Sequence, residues 1–268
     1  MHALLEHVRV EWRSALRSPS QLLMAWLFPL GFALVIGGVM PKLNPAFGAQ
    51  MVAAFALMAV VTGTILGLPG PIVEARAAGV LRGFRVLGVP DAASLGVPGI
   101  SAALHAIPAA LVAALLTRLL FDGEAPTRSL VFVGVVALAA FTFSGLGALI
   151  GVVSTSARAT VLYSQLIFLP SMLLGGMMVP FAALPANMRP VALLLPTTHV
   201  MQLFDGLAYG RATTLAAGSH VGALVVSGLV AWGLALVLFD TEPREVKAWK
   251  GVFVLVALLP LAITAALG

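Results

Sequence analysis

The chain has 268 residues, of which 60% are hydrophobic and only 9% charged. Soluble domains run nearer a quarter charged, so the composition excludes a soluble globular protein and implies an all-α, polytopic membrane protein built as one transmembrane domain. The net charge of +5 does not imply nucleic acid, because the basic residues stand at the ends of apolar runs, where membrane orientation and anionic lipid account for them.

Residues 2–17 predict an amphipathic helix lying in the membrane interface. Leu4, Leu5, Val8, Trp12, Ala15 and Leu16 form one arc, and Glu6, Arg9, Arg13 and Arg17 form the neighbouring one. The alternative is a charged flank that only orients the first span. Ser18-Pro19-Ser20 ends this helix, and residues 20–40 form the first span, with Pro29 as a kink. The span is long and has no small-residue cleavage site, so no cleaved leader is expected. After a short loop, residues 51–72 form the second span, stopped by Gly67, Pro69, Gly70 and Pro71.

A charged island follows at 73–90. Glu74, Arg76, Arg82 and Arg85 would each cost about 2.5–3.5 kcal/mol at the bilayer centre, so the island does not span. As a helix it lines up Val80, Phe84 and Leu87 on one side, while Glu74, Arg82 and Arg85 share another. Such a helix lies on lipid or fits a partner's groove.

Gly96, Pro98 and Gly99 delay the third span to 98–121, with Arg118 snorkelling at its far end. The fourth span is 129–153 and the fifth 161–179. Pro180, Pro185, Pro190 and Pro196 then cut 180–207 into pieces too short to cross about 30 Å, which predicts re-entrant outer helices. The sixth span is 219–239, followed by a charged stretch at 240–250. A last apolar run, 251–267, is expected as a seventh span, with a re-entrant segment as the alternative. With the N-terminus cytoplasmic, the inner segments hold ten Lys and Arg against five outside, which sets the orientation.

Several chemistries are missing. The chain has no cysteine, and no G-x-x-x-x-G-K-[ST] with which to cradle a nucleotide. No Asp or Glu lies inside an expected span, so an ion-coupled carrier has no carboxylate relay; His105 is a lone intramembrane histidine, more often a packing residue. The pairs Gly63/Gly67 and Gly147/Gly151 fit close helix packing, within the chain or across a dimer seam. In the fifth span, Ser164, Gln165, Phe168 and Met172 are candidates for a substrate path, the alternative being ordinary bundle packing.

Three stretches together resemble the membrane subunits of type-2 ATP-binding-cassette exporters. They are LRSPSQLLMAWLFP (16–29), the island with Glu74, Gly79-Val80-Leu81-Arg82 and Pro90, and LPSMLLGGMMVPFAALPANMRPVALLLPTTHVMQLFDGLAYG (169–210). The resemblance implies a six-span subunit, here with an extra C-terminal span, in a bacterial plasma membrane. It implies a second permease copy and a separate ATPase subunit that holds the ATP and magnesium; no cofactor or metal is expected in this chain. The island would be the coupling helix, with Glu74, Arg76, Arg82, Phe84, Arg85 and Leu87 at the ATPase. Trp12, Arg13 and Arg17 would belong to the interfacial helix, and the cargo would be a lipid, drug, polysaccharide or peptide moved outward. Two departures stand out: a single acid before Gly79 with a longer run from there to Pro90, and the apolar run 251–267 beyond six spans. The competing reading is a self-standing secondary carrier or membrane scaffold; an intramembrane enzyme lacks any paired catalytic residues.

Overall fold

A computed structural model describes residues 19–44, 47–241 and 248–267. Among these the chain is helical without a strand, and seven helices are long and apolar enough to cross a membrane. The protein is therefore an all-α polytopic membrane protein. The helix expected over 2–17, with Trp12, Arg13 and Arg17, lies outside the described residues, as do 242–247.

The spans are Leu23–Leu43, Met51–Ala77, Asp91–Phe121, Ser129–Val153, Ala157–Leu174, Ala217–Leu238 and Trp249–Leu267. The second is the axis of the bundle. Every side chain from Met51 to Ile65 is buried, and a helix apolar on all sides belongs in the centre. The glycines that face it permit close approach. A methyl group at Gly147 would collide with the Thr64 carbonyl, and one at Gly151 would lie 2.9 Å from Ile72. The Gly147/Gly151 pair thus serves packing inside the chain.

The second span is not a regular helix. Thr62 donates its hydroxyl to the Met58 carbonyl at 2.9 Å, and Thr64 donates to the Val60 carbonyl at 2.6 Å. Such back-bonding loosens the ladder, and Thr62–Leu66 is a π-helical turn. Pro69 follows and has no N–H to offer the Ile65 carbonyl. The Ser164 hydroxyl of the fifth span donates to that carbonyl instead, at 2.8 Å.

The third span begins at Asp91, not at residue 98, and runs unbroken through Gly96, Pro98 and Gly99. A proline inside a helix removes a single bond, and neighbouring helices compensate in a membrane. Gly99 is needed because the Trp232 ring of the sixth span lies against it. At 1.5 Å per residue this 31-residue helix is about 46 Å long, more than the ~30 Å hydrocarbon layer. The fifth span starts and stops earlier than its apolar run. Ser156 caps it by accepting the Ala159 N–H at 3.2 Å, and Gly175-Gly176, the latter at φ +87°, ends it. The seventh span packs on the sixth, where the Ser227 hydroxyl donates to the Ala257 carbonyl at 2.6 Å.

At the end away from the island, the proline-rich stretch folds into a turn at Phe181–Ala183 and helices Arg189–Ala192 and Pro196–Leu203, closed by a π turn at Phe204–Ala208. Arg189 holds the first turn by donating to the Leu184 and Ala182 carbonyls at 3.1 and 2.9 Å. All of Pro196–Leu203 is buried, the condition under which broken backbone is tolerated at membrane depth.

Candidate functional site: the charged island and its anchor

The island is two pieces. The second span continues to Ala77, and a turn at Gly79, φ +75°, starts a separate helix, Val80–Val86. Gly88, at φ +77°, and the extended Pro90 lead into the third span. Glycine takes the left-handed conformation without the Cβ penalty, so both ends of the short helix are set by residue type.

The short helix has an inner and an outer face. Leu81 is buried and Phe84 packs partly against the core, one turn apart. The expected apolar side of Val80, Phe84 and Leu87 is therefore split: Phe84 is turned toward the bundle and is not free to enter a partner's groove. Val80 is exposed, and Val86 and Leu87 are each 80% exposed. Arg82 and Arg85 are exposed beside them, as is Glu74 at the foot of the second span. Arg85 pairs with Asp91 at 3.0 Å with both side chains nearly half exposed, a contact that contributes at most about 1 kcal/mol.

Arg76 differs from the role expected of it. It is only 3% exposed. Its Nη2 donates to the Gly151 and Val152 carbonyls at 3.2 and 3.1 Å, its Nη1 to the Ser154 carbonyl at 3.1 Å, and its Nε to the Asp240 carbonyl at 3.1 Å. The last carbonyls of the fourth span have no helical donor, and a cation there also meets the negative end of the helix dipole. Arg76 is an anchor inside the chain, and it is withdrawn from any surface a partner could touch. The sequence held a hint of this, since Arg76 falls off the face that Glu74, Arg82 and Arg85 share.

The fifth-span candidates also turn inward. Ser164 is committed to Ile65, Phe168 is buried, Gln165 is half-buried, and Met172 packs against the core. The exposed stripe of this helix is Val161, Leu162, Leu166, Leu169 and Leu173. A path lined by Ser164, Gln165, Phe168 and Met172 is thus closed in this conformation by their own packing. His105 is buried with Nδ1 2.8 Å from the Ser101 carbonyl, at the edge of a cavity of about 30 Å³ shared with Trp26 and Ser101.

Two clusters at the far end escaped the sequence reading. Arg211 donates to Asp205 at 2.8 Å, to Glu124 at 2.7 Å and to the Ala49 carbonyl at 2.9 Å, with its guanidinium 4.5 Å above the Tyr209 ring. It ties together three connecting segments. Burial pushes the Asp205 carboxyl up from its ordinary value, against the downward pull of Arg211. The second cluster is His199 and His220, Nδ1 to Nδ1 at 2.9 Å. His199 Nε2 lies 2.8 Å from the Leu193 carbonyl and so carries the hydrogen. His199 Nδ1 is then the acceptor, and His220 Nδ1–H the donor. No periodicity relates residues 21 positions apart across a turn, so only the fold could pair them.

An apolar seven-span bundle with a short charged helix slung between glycines at one end is a polytopic membrane protein with one helix set outside its spans. The description ABC-2 type transporter matches residues 3–209, and the chain belongs to that family. It is an ABC transporter permease, a transport component and not itself an ATPase. The sixth and seventh spans lie beyond the matched residues. Comparison with the curated proteins and with the solved structures gave no match.

Proposed function

We propose that this permease moves an amphiphilic or polymeric cargo outward across a bacterial inner membrane, driven by a separate ATP-hydrolysing subunit that docks on helix Val80–Val86. The N-terminus and this helix lie on the cytoplasmic side, and a second permease copy completes the pathway. The observation that carries the reading is the build of that helix. Glycine hinges flank it, Leu81 and Phe84 hold it to the bundle, and Val80, Val86, Leu87, Arg82 and Arg85 are left on its open face. Apolar side chains ringed by cations suit a groove with an acidic rim.

The test is purification from native membrane in mild detergent, followed by ATPase assays on the recovered complex. A nucleotide-hydrolysing subunit is expected to co-purify. Arg82→Glu with Leu87→Asp is expected to release it while leaving membrane insertion unchanged. Uphill cargo movement by the permease reconstituted alone would end this reading and favour a self-standing carrier.

A further inference from the structure

We infer that Arg76 is the positioning residue that converts displacement of helix Val80–Val86 into joint movement of the second, fourth and sixth spans. This rests on the proposed docking of an ATPase at that helix, and it assigns the next step inside the membrane protein.

The geometry leads there directly. Arg76 lies three residues before Gly79, the hinge on which the short helix turns. Its guanidinium reaches three carbonyls at the end of the fourth span and the Asp240 carbonyl just past the end of the sixth. One side chain therefore joins the feet of three spans that the sequence separates by 75 to 164 positions. The fork of guanidinium donors suits this task because it addresses several acceptors in fixed directions at once, whereas an ammonium is a single point. Packing continues the joint upward: Gly151 lies against Ile72 and Pro69, and Gly147 against Thr64 and Leu68. The Ser154 hydroxyl adds to it by donating to the Ile150 carbonyl at 2.7 Å, holding the last turn to which Arg76 binds. No partner can reach Arg76, so its contribution to coupling has to run through these carbonyls.

The absence of cysteine lets spin labels be placed at will. One pair, at Ala78 and Thr155, measures the foot of the second span, beside the hinge, against the foot of the fourth span. A second pair, at Lys42 and Ala186, measures the far end. All four positions are exposed. The complex with its ATPase, in lipid nanodiscs, is compared with and without ATP plus vanadate. In the parent chain the Ala78–Thr155 distance stays narrow while the Lys42–Ala186 distance shifts. Arg76→Lys keeps the charge and loses the fork. It is expected to leave insertion and ATP hydrolysis in place, to broaden the first distance, and to abolish the shift of the second. A change in stability alone would not separate hydrolysis from the far-end response. If Arg76→Lys shows the same far-end shift as the parent, the inference is overturned. If the parent shows no nucleotide response, the docking proposal fails by itself. The nucleotide-free Ala78–Thr155 distance then decides the anchor: broadened in Arg76→Lys it stands, unchanged it falls. Arg76→Gln, shorter and with a single amide nitrogen against four carbonyls, serves as the second variant and is expected to lose the far-end shift as well; a shift equal to the parent's in this variant overturns the inference.

Discussion

Replacing Ser164 by Ala tests whether the break in the second span is served from outside. In a regular helix the N–H of residue 69 would donate to the Ile65 carbonyl, but position 69 is proline. The Ser164 hydroxyl fills that place at 2.8 Å in a fully buried setting. Interhelical side-chain hydrogen bonds in membranes average only about 0.6 kcal/mol, because the partners usually find substitutes. Here the carbonyl has lost its helical donor, so the cost of an unsatisfied buried acceptor applies, about 1–3 kcal/mol. Ser164→Ala is therefore expected to destabilise the folded chain by about 1.5–2 kcal/mol. In a Pro69→Ala background the restored N–H can serve Ile65, and the same substitution should cost about 0.6 kcal/mol. The difference is a coupling of about 1 kcal/mol, free of whatever Pro69→Ala does to the bend itself, since an effect common to both arms cancels in the cycle. Reversible unfolding in mixed micelles at rising dodecyl sulfate fraction, followed by tryptophan fluorescence, gives all four stabilities. Equal costs of Ser164→Ala in the two backgrounds would refute the argument.

Other substitutions probe the packing and the far end. Gly147→Ala is expected to cost at least about 1–3 kcal/mol, because the new methyl meets the backbone of Thr64. Gly134→Ala, in the same helix with nothing near its Cβ direction, should instead stabilise by about 0.5–1 kcal/mol; the same micelle titration reads both. Asp205 has a pKa raised by burial, so the native state holds its proton more tightly than the unfolded chain does. Stability should thus fall as pH climbs from the ordinary carboxylate range through the raised value. Asp205→Asn should flatten that slope, measured as the thermal midpoint at a series of pH values between 4 and 7.

The spans were legible because hydropathy needs no tertiary knowledge. Ser129–Val153 has bounds set by Arg128 on one side and the small polar turn from Ser154 on the other. The ends were less legible where a cap or glycine outweighs hydropathy. Ser156 starts the fifth span before its apolar run, and Gly176 stops it while Met177 and Met178 still read as membrane. The third span could not be dated from Pro98, since a transmembrane helix tolerates the proline that would end a soluble one. Within the island, periodicity located a short helix but placed its apolar side one residue off. Positions 80, 81, 84, 86 and 87 are all apolar, and periodicity alone does not say which of them the bundle takes; it takes Leu81 and Phe84. Contacts such as Arg76 with Gly151 or His199 with His220 join distant stretches, and nothing local announces them.

The unequal firmness of the second span decides where a push on the island can be absorbed. From Met51 to Val61 it is packed on all sides, and close-packed interiors transmit displacement more readily than they deform. Below Pro69 it is bound through Arg76 to the feet of the fourth and sixth spans. Between these firm parts lies the π turn Thr62–Leu66, where Gly67 bonds back to Thr62, and then Pro69, where one backbone bond is missing altogether. Bending there costs fewer intact bonds than bending elsewhere along the helix. The fifth span touches that place through Ser164, so a bend at 62–69 must either carry the fifth span with it or break its hydroxyl contact. On the proposed reading, force entering at Val80–Val86 thus reaches the fifth span where it packs on the second, with the Ser164 hydrogen bond at the bend itself. A stiffer second span, as in Pro69→Ala, should weaken the far-end response even where it strengthens the fold.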